Sequence, residues 1–262
     1  MGYWRLAHDA RILFETMRGP DAYDATTIQA DTYPKKELPK KFRIGVPRHL
    51  LTSGVDADVL EHFNTTLSKL ESEGHSVVEV SLPTSPYALP AYYVVMPAEA
   101  STNLARYDGI RYGLASRGAT LLEDYTESRT EGFGKETKRR ILLGTFVLSS
   151  GYIDAYYRKA EATRALLRAE YDVAFELCDV IAFPTTPSPA FTFGSKSDPV
   201  SMYLEDVFTV TANLTGMPAL SVPMGKVDRD EVPLPTGMHF TAPRGADHIL
   251  FTIGAKVTGE TL

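Results

Sequence analysis

The sequence predicts an α/β fold, with a mixed, largely buried β-sheet flanked by helices. Three observations lead there. FRIGVP (residues 42–47) is a short apolar strand pattern. Residues 56–72 set Val59, Leu60, Phe63, Leu67 and Leu70 at helical spacing, and Gly74 follows as a helix stop. SVVEVSL (76–82) then alternates Val78, Val80 and Leu82 with a strand period. Strand, helix, strand in that order is a βαβ unit, whose two strands run parallel with a right-handed crossover.

The remaining elements follow in chain order. Residues 5–18 place Leu6, Ala10, Leu13, Phe14 and Met17 on one helical face, and Gly19-Pro20 ends it. DAYDATTIQADTYPKKELPKK (21–41) is polar and punctuated by proline, which reads as a surface connection with solvated lysines. Residues 90–107 and 136–148 are predicted helices. Residues 152–177 carry Tyr156, Tyr157, Leu166, Leu167, Tyr171 and Phe175 in a long helical pattern, read as a core-facing stripe. DVIAFPTTPSPA (179–190) is a buried strand running into a proline-rich loop. Residues 202–214 form a helix stopped by Gly216, and ALSVPM (219–224) and TGMHFTAP (236–243) are two further strands.

Composition narrows the function classes. The chain has 262 residues, 44% hydrophobic and 23% charged, as one large α/β domain would. A net charge of −6 argues against a surface that binds nucleic acid throughout. Cys178 is the only cysteine, which excludes an internal disulfide framework and a cysteine-based zinc site. In FELCDVIAF it reads as a small buried hydrophobe. The N-terminus has charges throughout and no apolar signal core, and the longest apolar runs are too short to span a bilayer. The expectation is a soluble, intracellular protein. None of the six histidines is spaced to share a helix face with another, so no metal site is expected.

EGFGKETKRRILLGTFVLSSG (131–151) holds the chemistry-bearing residues. GFGK lacks the spacing of a phosphate loop or a dinucleotide fingerprint and reads as a turn leading into a helix. Ser149 and Ser150 precede Gly151, a context that suits a break between two helices, where serine hydroxyls bond exposed backbone groups. A nucleophilic serine would need a base in reach and a turn that exposes its oxygen. Arg139 and Arg140 point about 100° apart on a helix. One can face solvent while the other turns inward, where its planar fork suits a carboxylate. That carboxylate is either a ligand's or one of the protein's own.

Several phrases resemble a known family. YYVVMPAEASTNLARYDGIRYG (92–113), the 131–157 segment, PTTPSPAF (184–191) and NLTGMPALSVPMG (213–225) are similar to the A subunits of glutamyl-tRNA(Gln)/aspartyl-tRNA(Asn) amidotransferases, within the amidase signature family. The resemblance runs in order from residue 1 to about 250, and it implies the amidase signature fold. It also implies a carbon–nitrogen ligase system in which this subunit hydrolyses glutamine. A B subunit, using ATP and Mg, passes the ammonia to Glu-tRNA(Gln), and a C subunit braces the pair. The family's Ser-Ser-Lys catalytic set sits in a Gly/Ser-rich signature, and no GGSSGGS-like segment occurs here. Residues 1–262 therefore read as the C-terminal portion of such a domain, incomplete in its sheet and inactive alone. No catalytic residue and no cofactor is expected on this chain. Tyr92, Arg140 and Asp206 match positions that hold the glutamine. The implied partners are glutamine, the B and C subunits, and tRNA through the B subunit, with no membrane contact. The implied place is the cytoplasm, or an organelle matrix in a eukaryote. The alternatives are a stand-alone amidase acting on another amide, or a non-catalytic piece that docks partner subunits.

Overall fold

A computed structural model describes residues 7–29, 31–196, 198 and 202–260. Leu6, expected on the first helix, lies outside the described residues. The structure falls into two compact units: residues up to Leu89 together with those from Leu166 onward, and Pro90–Ala165.

The first unit holds a five-stranded mixed sheet in the order β2-β1-β3-β5-β4. The strands are β1 (Arg43–Val46), β2 (Ser76–Glu79), β3 (Val180–Pro184), β4 (Ala219–Arg229) and β5 (Val232–Thr241). β1 pairs in parallel with β2, Arg43 opposite Ser76 through Val46 opposite Glu79, and in parallel with β3. β5 runs antiparallel to both β3 and β4. Asp230 and Glu231 join β4 to β5 with φ of 52° and 65°. Two positive values suit the right-handed twist of a tight hairpin.

Helix α2 (Ala57–Ser72) buries Val59, Phe63, Leu67 and Leu70, the face expected from their spacing. Burying one such side chain stabilises by about 1.5–3 kcal/mol. The helix ends as its sequence predicts. Gly74 adopts φ +88°, and the His75 N–H reaches back to the Leu70 carbonyl at 3.1 Å. α1 (Ala7–Met17) packs on the last helix, Asp247–Thr258, with Phe14 and Phe251 rings 5.5 Å apart. The Glu260 carboxylate accepts from the Ala7 and His8 N–H groups at 3.1 and 3.0 Å, placing an anion at the positive end of α1. Segment 18–41 is largely exposed, as a surface connection should be.

Several elements differ from expectation. The β2 ladder stops at Glu79, although Val80 and Leu82 beyond it are buried. The helix from residue 90 is α3 (Ala88–Leu104), which carries Pro97 inside it. α4 (Leu121–Gly132) had no apolar face to announce it; its start is a capping box between Thr120 and Glu123. α5 spans Lys135–Leu148. The 152–177 pattern opens as one π turn, Ile153–Tyr157, after Gly151 with φ +87°, and continues as α6 (Arg158–Leu177). Its stripe is only partly core. Leu167 and Tyr171 are inaccessible, while Tyr156 and Leu166 are 45% and 58% exposed. Residues 202–214 do not form one helix. Leu204–Asp206 is a 3₁₀ turn, and α7 covers Val210–Thr215 before Gly216 at φ +69°. Between them the Thr209 hydroxyl donates to the Asp206 carbonyl at 3.1 Å, a local side-chain bond that competes with helix hydrogen bonding. The final helix, Asp247–Thr258, is α8.

Cys178 and His239 are both buried, at 1% and 5% exposure. Burial pushes the Cys178 thiol up to about 12. No helix among the described residues is long and apolar enough to cross a membrane.

His239 gives the fold a pH dependence. Desolvation pulls its imidazole down to about 4 in the folded chain, against 6.5 when exposed. The unfolded chain therefore binds the extra proton first as pH falls. Stability is full above pH 6.5 and declines through pH 4, by about 3 kcal/mol in all. His75, also lowered by burial, acts in the same direction. Thermal unfolding followed between pH 7 and pH 4 should show this loss, and His239→Gln should flatten much of it.

Candidate functional site

The second unit holds two of the three predicted ligand-contacting residues. Tyr92 lies on α3, and Arg140 on the second turn of α5. Gly134 is the residue preceding α5, so the GFGK turn leads into the helix as expected. The two helices meet with no side chain between their backbones. A Cβ on Gly144 would lie 1.9 Å from the Pro97 carbonyl oxygen and 2.6 Å from the Ser101 hydroxyl. Only glycine permits that approach. Arg140 sits one turn before Gly144, and Met96 sits beside Pro97. The crossing thus brings the Arg140 Nη1 to 3.4 Å from the Met96 sulfur.

Arg139 and Arg140 share one acid. Glu136 accepts from Arg139 Nη1 at 2.7 Å and from Arg140 Nε at 3.0 Å. These are i,i+3 and i,i+4 pairs on one helix face, and at this exposure each contributes a few tenths of a kcal/mol. The two side chains are 40% and 34% exposed, so neither is sealed inside. Burial pulls Arg140 down, but the Glu136 hydrogen bond and charge, with Tyr92 and Tyr93 nearby, carry it above its ordinary value. The cation is fixed. Tyr92 is half-buried, and its ring meets Tyr93 edge-on at 5.3 Å and 87°. The arrangement is a rigid cation beside aromatic edges. Arg140 has five N–H donors, and these bonds engage two of them.

Asp206 belongs to the first unit, on the exposed 3₁₀ turn Leu204–Asp206. Its neighbourhood is well anchored. Glu205 pairs with Lys196 and accepts from the Ser188 hydroxyl at 3.0 Å, while the Phe183 and Phe208 rings stack at 5.4 Å. The nearby sheet end is polar: Thr185 and Ser221 hydroxyls lie 2.5 Å apart, and the Thr185 N–H reaches the Gly237 carbonyl at 2.7 Å. Sequence reasoning did not single out Glu136, Met96 or the Lys196–Glu205 pair. Glu136 was legible, four residues before Arg140 on a predicted helix. The other two depend on tertiary placement.

Ser149 and Ser150 sit where a helix ends. Ser149 follows the last residue of α5, and its hydroxyl donates to the Phe146 carbonyl at 2.7 Å. Among the described residues no cluster of three metal-ligating side chains occurs.

With this geometry in place, the chain can be compared with known proteins. The family model for "Amidase" matches residues 5–251. The chain is 44% identical over 254 residues to the glutamyl-tRNA(Gln) amidotransferase A subunit of Maricaulis maris, covering 95% of this chain and 51% of that protein. It is 51% identical over 223 residues to the one from Anaeromyxobacter dehalogenans, covering 83% and 45%. The crystal structure of the corresponding protein from Thermotoga maritima superposes with a TM-score of 0.72 at 33% identity, over 97% of this chain and 50% of that one. The chain thus spans about half the length of the curated relatives it matches.

The Gly144 contact is open to test. Gly144→Ala should force the α3–α5 backbones apart, costing about 2 kcal/mol or more and lowering the Tm by roughly 4–8 °C. Differential scanning calorimetry reads this directly; an unchanged Tm would mean that the helices are not held at that distance.

Proposed function

Because this chain belongs to the amidase family, we propose that it is the glutamine-binding portion of the A subunit of a glutamyl-tRNA(Gln) amidotransferase. The reading is supported by 43–51% identity to curated relatives of that name and by the mixed α/β fold shared with the Thermotoga maritima structure. The observation that carries it is the fixed Arg140 guanidinium beside Tyr92.

A free amino acid presents a carboxylate and an ammonium at a set separation. Recognition calls for one fixed cation and one fixed anion. Arg140 takes the α-carboxylate with the donors that Glu136 and Met96 leave over. Tyr92 supplies a rigid polar edge. Glu136 keeps Arg140 extended in the meantime. The chain's part is to bind and orient. The attacking serine, its partner serine and the lysine belong to the signature segment that these 262 residues do not contain. The amide nitrogen leaves glutamine as ammonia and is used by a B subunit that binds ATP and Mg. This gives the full assembly its ligase character and makes glutamine its amido donor.

Two measurements test the proposal. The pure chain should release no ammonia from glutamine, and Ser149→Ala and Ser150→Ala should leave that baseline unaltered. Joined in frame to the N-terminal half of the Maricaulis maris relative, it should hydrolyse glutamine. In that chimera Arg140→Ala should raise KM about thirty-fold or more, the loss of one hydrogen-bonded charge pair with the substrate. A chimera that prefers other amides and ignores this change would identify a stand-alone amidase instead.

A further inference from the structure

A cavity of about 250 Å³ lies within the first unit. Phe183 reaches it from β3, Leu50 from the 3₁₀ turn after β1, and Ser85 from the 3₁₀ turn Ser85–Tyr87. Val207 and Phe208 line it just before α7, and Thr211 lines it from α7 itself. Tyr92, Arg140 and Asp206 do not line it.

Its deep side is apolar and fixed. Phe183 and Phe208 are buried, with their rings stacked at 5.4 Å and 24°. The buried Thr211 hydroxyl is already engaged. It accepts from the Tyr171 hydroxyl at 2.9 Å and donates to the Phe208 carbonyl at 3.4 Å. Among the described residues no Asp, Glu, Lys or Arg lines the cavity, and the exposed His49 is its one titratable group. A charged ligand would lose water there without gaining a counter-charge, so the lining selects a neutral one.

Ser85 is the polar exception on the deep side. It is 7% exposed, and its hydroxyl has no hydrogen-bond partner among the described residues. Its backbone is held in place. The Ser85 N–H donates to the Leu82 carbonyl at 3.1 Å, and the Thr84 N–H before it donates to the Glu170 carboxylate at 3.0 Å. Pro86 restricts the chain after it. A buried hydroxyl without a partner is costly and calls for an explanation. Its proton and its lone pairs are both uncommitted, and a ligand hydroxyl, which accepts and donates, matches both. Size sets the rest. A dry apolar cavity of about 150 Å³ holds benzene, so this one takes a single ring with a small substituent.

We propose that the cavity is a binding site for a small neutral ligand with one ring and one hydroxyl. The ring packs against Phe183 and Phe208, and the hydroxyl bonds to Ser85.

Isothermal titration calorimetry of this chain with phenol, benzene and benzoate tests the site. Phenol should bind about tenfold more tightly than benzene, and benzoate should give no heat. Ser85→Ala should bring phenol down to the level of benzene and leave benzene binding unchanged. The variant loses no hydrogen bond within the protein, so its Tm should not fall. Absence of phenol binding overturns the site. Equal affinity for phenol and benzene, or a preference for phenol that survives in Ser85→Ala, overturns recognition by the Ser85 hydroxyl. Binding of benzoate overturns the neutral class, and a lower Tm in the variant shows that the hydroxyl serves the fold instead.

Discussion

The first unit is organised by β3. All five of its residues are buried, and it pairs in parallel with β1 on one side and antiparallel with β5 on the other. It therefore joins a βαβ half to a hairpin half in one sheet. A strand covered on both faces and both edges leaves no room for a polar side chain, which is why Val180–Pro184 is apolar throughout. Its exit is the opposite. Thr185, Thr186 and Ser188 bring hydroxyls to the end of the sheet, and the chain goes on to the segment that carries Asp206.

In the second unit the corresponding constraint is a missing side chain. Gly144 lets α5 touch the backbone of α3, and Arg140 takes its position from that contact. The acid that holds Arg140 belongs to its own helix and is exposed, so it contributes little to stability. Its effect is on geometry and charge. An arginine held straight by a neighbouring carboxylate is already ordered, so part of the entropic cost of fixing its side chain is met during folding.

Much of this was legible in the sequence, and the reasons are physical. The βαβ unit could be read because α2 must bury one face at a 3.6-residue period, and because Gly74 supplies the left-handed stop. β3 could be read because complete burial leaves an uninterrupted apolar run. Other features could not. α4 has apolar or aromatic side chains only at Leu121, Leu122 and Tyr125, too few to make a stripe, so periodicity was silent, although Thr120 and Glu123 form a capping signal that a search for boxes would find. At the break after Leu204–Asp206 the Thr209 hydroxyl takes the Asp206 carbonyl, and a helical pattern does not record that competition. Of the site, the residue types were readable and the α3–α5 contact was not, since Gly144 and Pro97 are forty-seven positions apart and neither alone signals a crossing.

One consequence follows from Cys178. The lone thiol is buried against the Ala174 carbonyl at 3.2 Å, with its thiolate strongly disfavoured. A maleimide or disulfide reagent attacks thiolate, so the native chain is nearly inert to it. Reaction then requires the interior to open. The molecule thus carries its own clock: the rate at which one label appears measures how often the sheet breathes.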